Sequence, residues 1–174
     1  MQRHLMTLLW VALLIGSSTT ALAQEIELVY TKANLMQTLD YKEAVTYSNA
    51  KATNALSLMN VSAGRIASYL SSIASHDAIL IFGEGAVKAV TAIEYTVPVI
   101  IINATGETSA KGPVFRVFDA DFGGAPSSAV SVSDAGSVSL SAGDVAAGKQ
   151  KAFKCDGIGA VAVVDKLVSQ LASR

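Results

Sequence analysis

The clearest hydrophobic pattern in the chain lies in residues 77–107, DAILIFGEGAVKAVTAIEYTVPVIIINATGE. Residues 78–82 and 97–102 are nearly continuous apolar runs, which are typical of parallel strands buried on both faces. About ten residues of helical pattern separate the two runs, and this is long enough for a right-handed crossover. The stretch therefore predicts a βαβ unit.

The rest of the first 118 residues supplies neighbours for this unit. Residues 54–60 fit either a short strand or a continued helix. A strand is favoured because Ser62 can then cap the helix that follows. The predicted elements are strands at 26–31, 54–60 and 114–118, and helices at 38–51 and 63–72.

The pattern changes after Phe118. Residues 129–140, AVSVSDAGSVSL, alternate valine and serine around a glycine-containing turn, which predicts a small peripheral hairpin. A linker at 143–154 leads to a predicted final helix at 158–172. The fold class is thus α/β, a three-layer sandwich with a mostly parallel sheet of about five strands, a hairpin and a C-terminal helix.

The first 23 residues predict an export signal. Arg3 and His4 precede an apolar stretch at 5–15, and Ala21-Leu22-Ala23 fits a signal peptidase site. The apolar stretch is shorter than the roughly 20 residues that a membrane span requires. We expect a periplasmic protein whose residues 24–174 form a single α/β domain.

Composition excludes several classes of function. A formal charge of -1, with no lysine or arginine run, provides no basic surface for nucleic acid. After Ala23 the chain has one histidine, His76, and one cysteine, Cys155, so a zinc site of the His/Cys type lacks ligands. Gly83-Glu84-Gly85 lacks the spacing and lysine of a phosphate-binding loop. The sequence predicts no cofactor and no catalytic residue.

Polar residues at the ends of three predicted strands indicate a ligand-binding rim. In a parallel sheet with the order 2-1-3-4-5, the carboxyl ends of the first and third strands flank a crevice where ligands bind. Gly83 begins a helix there, although the carboxylate of Glu84 could satisfy that helix end itself. The candidate ligand-binding residues are Thr31, Lys32, Asn34, Gly83, Glu84, Gly85, Asn103, Thr105 and Gly106.

Two other features carry less chemistry. Asp119 and Asp121 could chelate a hard cation, but two carboxylates are too few to predict a metal site. A single cysteine excludes an internal disulfide and is typical of a buried, inert thiol, with an intermolecular bridge as the alternative.

Residues 66–106 resemble a segment of the periplasmic substrate-binding proteins of ABC transporters. The similarity consists of Asp77, Gly83, Ala86, Ala89 and Pro98 with the apolar runs around them. It implies one lobe of that fold, a periplasmic location and a ligand rim that includes Thr31, Gly83, Glu84 and Asn103. Members of that family have two lobes, whereas residues 24–174 have room for one.

These observations predict an exported, non-enzymatic binding module. Its partner would be a small solute or the periplasmic domain of a membrane protein, and a homodimer would restore the second lobe. The alternatives are a small exported enzyme that uses Glu84 and Asp119, and an assembly protein that pairs through the edge of the serine-rich hairpin.

Overall fold

A computed structural model describes residues 26–30, 54–57, 77–90 and 96–174. The predicted signal peptide, the predicted helices at 38–51 and 63–72, and His76 lie outside these ranges. No helix within the described ranges is long and apolar enough to cross a membrane.

The described residues form a seven-stranded parallel sheet with two α-helices. The strands are β1 (Ile26–Tyr30), β2 (Asn54–Ser57), β3 (Ala78–Phe82), β4 (Val99–Ile102), β5 (Val114–Phe118), β6 (Val130–Val132) and β7 (Gln150–Cys155). The helices are α1 (Gly83–Val90) and α2 (Ala160–Ala172), and a 3₁₀ helix spans Ala135–Ser137.

The strand order is β2-β1-β3-β4-β5-β7-β6, and every adjacent pair is parallel. The predicted α/β class and the 2-1-3-4-5 order are therefore confirmed. The sheet extends further than expected, because β7 pairs with β5 and β6 pairs with β7. The direction in which successive strands are added thus reverses a second time, between β6 and β7. The first reversal, between β2 and β3, places β3 beside β1.

The predicted hairpin at residues 129–140 is wrong. β6 lies inside that range, but it pairs in parallel with β7 rather than with the second half of the range. The Asp134 carboxylate accepts a hydrogen bond from Gly136 N and caps the 3₁₀ helix, so the chain turns away instead of folding back. Residues 150–154, predicted to belong to a linker, form most of β7.

Alternating side chains divide the core into two layers, one on each face of the sheet. Strand residues such as Leu80, Ile100 and Phe115 pack against α2, and we call this side the α2 face. Ile79 and Ile101 pack against α1 on the opposite side, the α1 face. Helices on both faces confirm the three-layer architecture.

The two segments that connect β5 to β6 and β6 to β7 also lie on opposite faces of the sheet. Residues 119–129 lead from β5 to β6 on the α1 face, where the Phe122 ring stacks on Phe118. Residues 133–149 return to β7 in the opposite direction and place Val138 and Leu140 in the core of the α2 face. Right-handed crossovers require this change of face when the direction reverses. The carboxyl ends of β5 and β7 therefore lead to opposite sides of the sheet.

Candidate functional site

The structure brings together part of the predicted rim. β1 lies beside β3 in parallel register, so the geometric basis of the predicted crevice is present. Gly83 begins α1 with φ of 79°, a backbone conformation that glycine adopts readily and other residues rarely do. Thr31, Lys32 and Asn34 belong to the part of the chain that is not described.

Glu84 connects α1 to the loop after β4. Its Oε1 accepts hydrogen bonds from Thr105 N and, at 3.0 Å, from Thr105 Oγ1, while Oε2 accepts one from Gly106 N at 3.2 Å. A Cβ atom at position 106 would lie 2.8 Å from Oε2, so a side chain there would displace the Glu84 carboxylate from this position. Glu84, in the first turn of α1, therefore holds the loop after β4 through its carboxylate. Gly85, the next residue, is exposed.

The hydrogen bonds to Glu84 favour its ionised form. Partial burial raises the pKa of this carboxyl, but the hydrogen bonds from Thr105 and Gly106 and the charge of Arg116 outweigh it. The net effect is a lowered pKa. Glu84 thus remains a carboxylate at neutral pH.

Arg116 holds the same loop from the other side. Its Nη1 donates to Ala104 O at 2.7 Å and its Nη2 donates to Gly106 O at 2.6 Å. The side chain projects from the middle of β5, two residues after the buried Val114, and therefore lies on the α1 face. The guanidinium and Glu84 together fix the conformation of residues 104–106.

Asn103 and Asp119 join the carboxyl ends of β4 and β5. Asn103 Nδ2 donates to Asp119 Oδ2 at 2.7 Å, and Asp119 N donates to Asn103 Oδ1 at 2.9 Å. Asn103 is only 4% exposed and has φ of 51°, the left-handed region. Its side chain is therefore hydrogen-bonded inside the protein, to Asp119.

Asp119, at the carboxyl end of β5, also forms a hydrogen bond to the helix that follows β7. Its Oδ1 accepts a hydrogen bond from Ala160 N, the first residue of α2, at 3.2 Å. Gly159, which precedes the helix, has no side chain to do this. Asp119 therefore stabilises the start of α2 and occupies the crevice between β5 and β7.

A cleft of about 530 Å³ opens beside these contacts. Its lining is mixed in character, with the Arg116 side chain, the apolar ring of Phe118 and several small or neutral polar residues. Ala152 is the register partner of Arg116 on β7, which places the two residues side by side. The lining residues are Thr105, Arg116, Phe118, Gly124, Pro126, Ser128, Val130, Gln150, Lys151 and Ala152.

The cleft was not predicted from the sequence, apart from Thr105. One signal was present, because Arg116 interrupts the apolar run VFRVF of β5. A charge in a buried strand has to be hydrogen-bonded or to line a cavity, and Arg116 does both. Apart from Phe118 of β5, the remaining lining residues come from β6, β7 and residues 119–129, whose arrangement depends on the unexpected position of β7.

The remaining candidates lie in ordinary structural positions. Cys155 is 1% exposed in the core of the α2 face, and burial and the nearby charge of Asp119 raise the pKa of its thiol to about 11. Within the described ranges, no three histidine, cysteine or acidic residues come together as metal ligands.

Comparisons with known proteins give no match: no protein-family model, no curated protein and no solved structure is similar to this chain. The functional argument therefore depends on the cleft and the residues around it.

Proposed function

We propose that the protein is an exported binding module that recognises a small solute in the cleft between the loop after β4 and residues 119–129. The supporting observation is the cleft itself. Its volume of about 530 Å³ falls within the roughly 300–1,000 Å³ typical of small-molecule sites. Such sites combine apolar surface with a few fixed polar groups, and this lining does the same.

The fixed positions of the lining groups favour binding. Arg116 is held by hydrogen bonds to two backbone carbonyl groups. A ligand that meets side chains already held in place loses less conformational entropy on binding. Gln150 and Ser128 add neutral hydrogen-bonding groups on the opposite side of the cleft.

The carboxylates at the strand ends favour binding over catalysis. Glu84 and Asp119 both accept hydrogen bonds from backbone N–H groups, and the lowered pKa of Glu84 is unsuited to a general acid at neutral pH. An enzyme that uses these two residues is therefore the less favoured proposal.

The signal-like residues 1–23 support export to the periplasm. In this proposal the solute-loaded protein meets the periplasmic domain of a membrane transporter or sensor. N-terminal sequencing of the exported protein should give Gln24 first. Recovery of the intact N-terminus from the cytoplasm would contradict the export proposal.

Solute binding can be tested by thermal denaturation of the purified protein against a panel of amino acids, sugars, organic acids and nucleosides. A ligand at about 100 times its Kd should stabilise the fold by about 2.7 kcal/mol and raise Tm on the order of 5–10 °C. Calorimetry should then measure the Kd of each hit.

Two matched variants locate the site. Ala152→Ile fills the cleft from β7 and should abolish binding, whereas Ala162→Ile, on the exposed side of α2, should leave the Kd unchanged. Hits that bind both variants equally would place the site elsewhere. A panel without any hit, together with capture of a membrane-protein domain by the protein, would replace the solute with a protein partner.

A further inference from the structure

β6 is the last strand at one edge of the described sheet, and its only described neighbour is β7. Val132 O accepts a hydrogen bond from Asp156 N at 2.8 Å, so the backbone of Val132 faces inward. Successive residues of a strand direct their N–H and C=O groups to opposite sides. The N–H and C=O of Ser131 therefore point away from the sheet.

This edge lacks the features that usually prevent pairing with another chain. Monomeric proteins place charged residues, proline or bulges on exposed edge strands. Residues 122–133, FGGAPSSAVSVS, contain no charged residue, and the single proline precedes β6 by four positions. Val130 is 48% exposed, and it is the one exposed large hydrophobic residue among the described side chains of residues 77–90 and 96–174.

The sequence of β6 is the same in both directions, Val130-Ser131-Val132. An antiparallel pair of two such strands can have a twofold axis at Ser131. The outward N–H and C=O of Ser131 then exchange two hydrogen bonds with the same groups of a second copy. Val130 then lies against the partner strand, which covers the exposed valine, whereas Val132 is 2% exposed and stays in the core of its own subunit.

We propose that the protein forms a homodimer by antiparallel pairing of β6 with β6 of a second copy. The occupant is a second copy because the outward N–H and C=O groups of Ser131 are complementary to the same groups of another β6. Pairing over three residues is short, so the dimer is weak and dependent on concentration.

The dimer would place a second subunit beside the cleft, since Val130 lines the cleft and belongs to β6. The inference does not depend on solute binding. Oligomeric state and ligand affinity are measured separately, so the failure of one proposal leaves the other intact.

Cysteine cross-linking tests the register directly. In the proposed pair the two Ser131 Cα atoms are about 5.5 Å apart, within the range of about 4.4–6.8 Å that a disulfide spans. Ser131→Cys should therefore form a disulfide-linked dimer under mild oxidation. Ser133→Cys is the matched control, because the two copies of residue 133 would be about 13 Å apart along the strands and should not cross-link.

Cys155 remains in both variants and is 1% exposed, so it should not contribute to cross-linking. Cross-linking at position 131 but not at 133 would support the proposal. Equal cross-linking at both positions, or at neither, would overturn it.

Sedimentation equilibrium of the unmodified protein supplies the second measurement. The average mass should rise with concentration from monomer toward dimer. Val130→Lys should give a monomer at every concentration, because it places a charge at the centre of the interface. Ala162→Lys, which adds the same charge on the exposed side of α2, should still dimerise. A monomeric unmodified protein at all concentrations would overturn the proposal.

Discussion

The two faces of the sheet are covered in different ways. On the α2 face, the 13-residue helix α2 and residues 138–140 cover β3, β4, β5 and β7, and the buried side chains form one continuous layer. On the α1 face, the 8-residue helix α1 covers β3 and β4, while the cleft lies over β5 and β7. The comparison teaches that the same strands can contribute stability on one side and a recess for a ligand on the other.

The largest expected effect concerns the α2 face. Leu167 is fully buried there, so Leu167→Ala should lower the free energy of unfolding by about 2–5 kcal/mol, through lost burial and the cavity left behind. Val130→Ala, at the rim of the cleft, should change it by less than about 0.5 kcal/mol. Urea denaturation measures both. Equal losses would contradict the distinction between a closed and an open face.

The next effect tests the α1 face. Arg116→Met should lower the free energy of unfolding by about 1.5–3 kcal/mol, because Ala104 O and Gly106 O lose a charged donor. Arg116→Lys retains the charge but not the planar fork that reaches both carbonyl groups, so it should recover only part of the loss. If the methionine variant is as stable as the unmodified protein, Arg116 does not hold the loop.

A smaller effect on stability should appear at Asn103, which directly follows β4 at the carboxyl end of the strands. Asn103→Ala and Asn103→Gly both lose the hydrogen bonds to Asp119. The left-handed backbone costs alanine about 1–2 kcal/mol, and the greater freedom of unfolded glycine offsets about 0.4–1 kcal/mol of this difference. The glycine variant should therefore be the more stable by up to about 1.6 kcal/mol in urea denaturation. Equal stability would mean that the φ of 51° carries no strain.

The smallest effect is a pH dependence at the border of the α2 face. Hydrogen bonds from Ser141 N and Oγ and from Lys151 lower the pKa of Asp144 from 3.8 to about 2. The carboxylate therefore stabilises the fold above about pH 4, and this contribution is lost as the pH falls toward 2. The stability difference between the unmodified protein and Asp144→Asn should shrink across this interval. A constant difference would show that Asp144 does not act through its charge.

The central fold could be predicted because its signals are local. The strand at residues 78–82 was predicted with the observed bounds, since continuous apolar runs have few alternatives in a buried parallel sheet. The final helix was predicted at 158–172 and begins at Ala160, and the strand predicted at 97–102 begins at Val99. These differences are of the size expected where helix and strand ends fray.

The outer part of the sheet could not be predicted in the same way. β7 has the sequence QKAFKC, and its two lysines and glutamine resemble a linker because one side of this strand lines an open cleft. Alternation in β6 is equally compatible with an antiparallel hairpin and with parallel pairing. Pairing with β7, about 20 residues later in the chain, decides between the hairpin and the parallel arrangement. The periodicity of β6 contains no information about its pairing partner.

The candidate site was predicted in part, for a related reason. Glu84, Thr105 and Gly106 do meet, because polar residues after parallel strands share one edge of the sheet. Their mutual hydrogen bonds could not be anticipated, and through these bonds the three residues support the loop after β4. The cleft itself depends on the position of β7, so most of its residues were missed.

The insertion of β7 between β5 and β6 has a consequence for the order in which the chain can fold. β6 is synthesised before β7, yet its described pairing is with β7 alone. The edge of the sheet therefore cannot assemble until residues 150–155 are available, and contacts between such distant segments form slowly. During synthesis the hydrophobic strands β3, β4 and β5 would stay incompletely covered until both β7 and α2 have been made. A chain that completes its core late remains unfolded for longer and exposes its hydrophobic strands over that time.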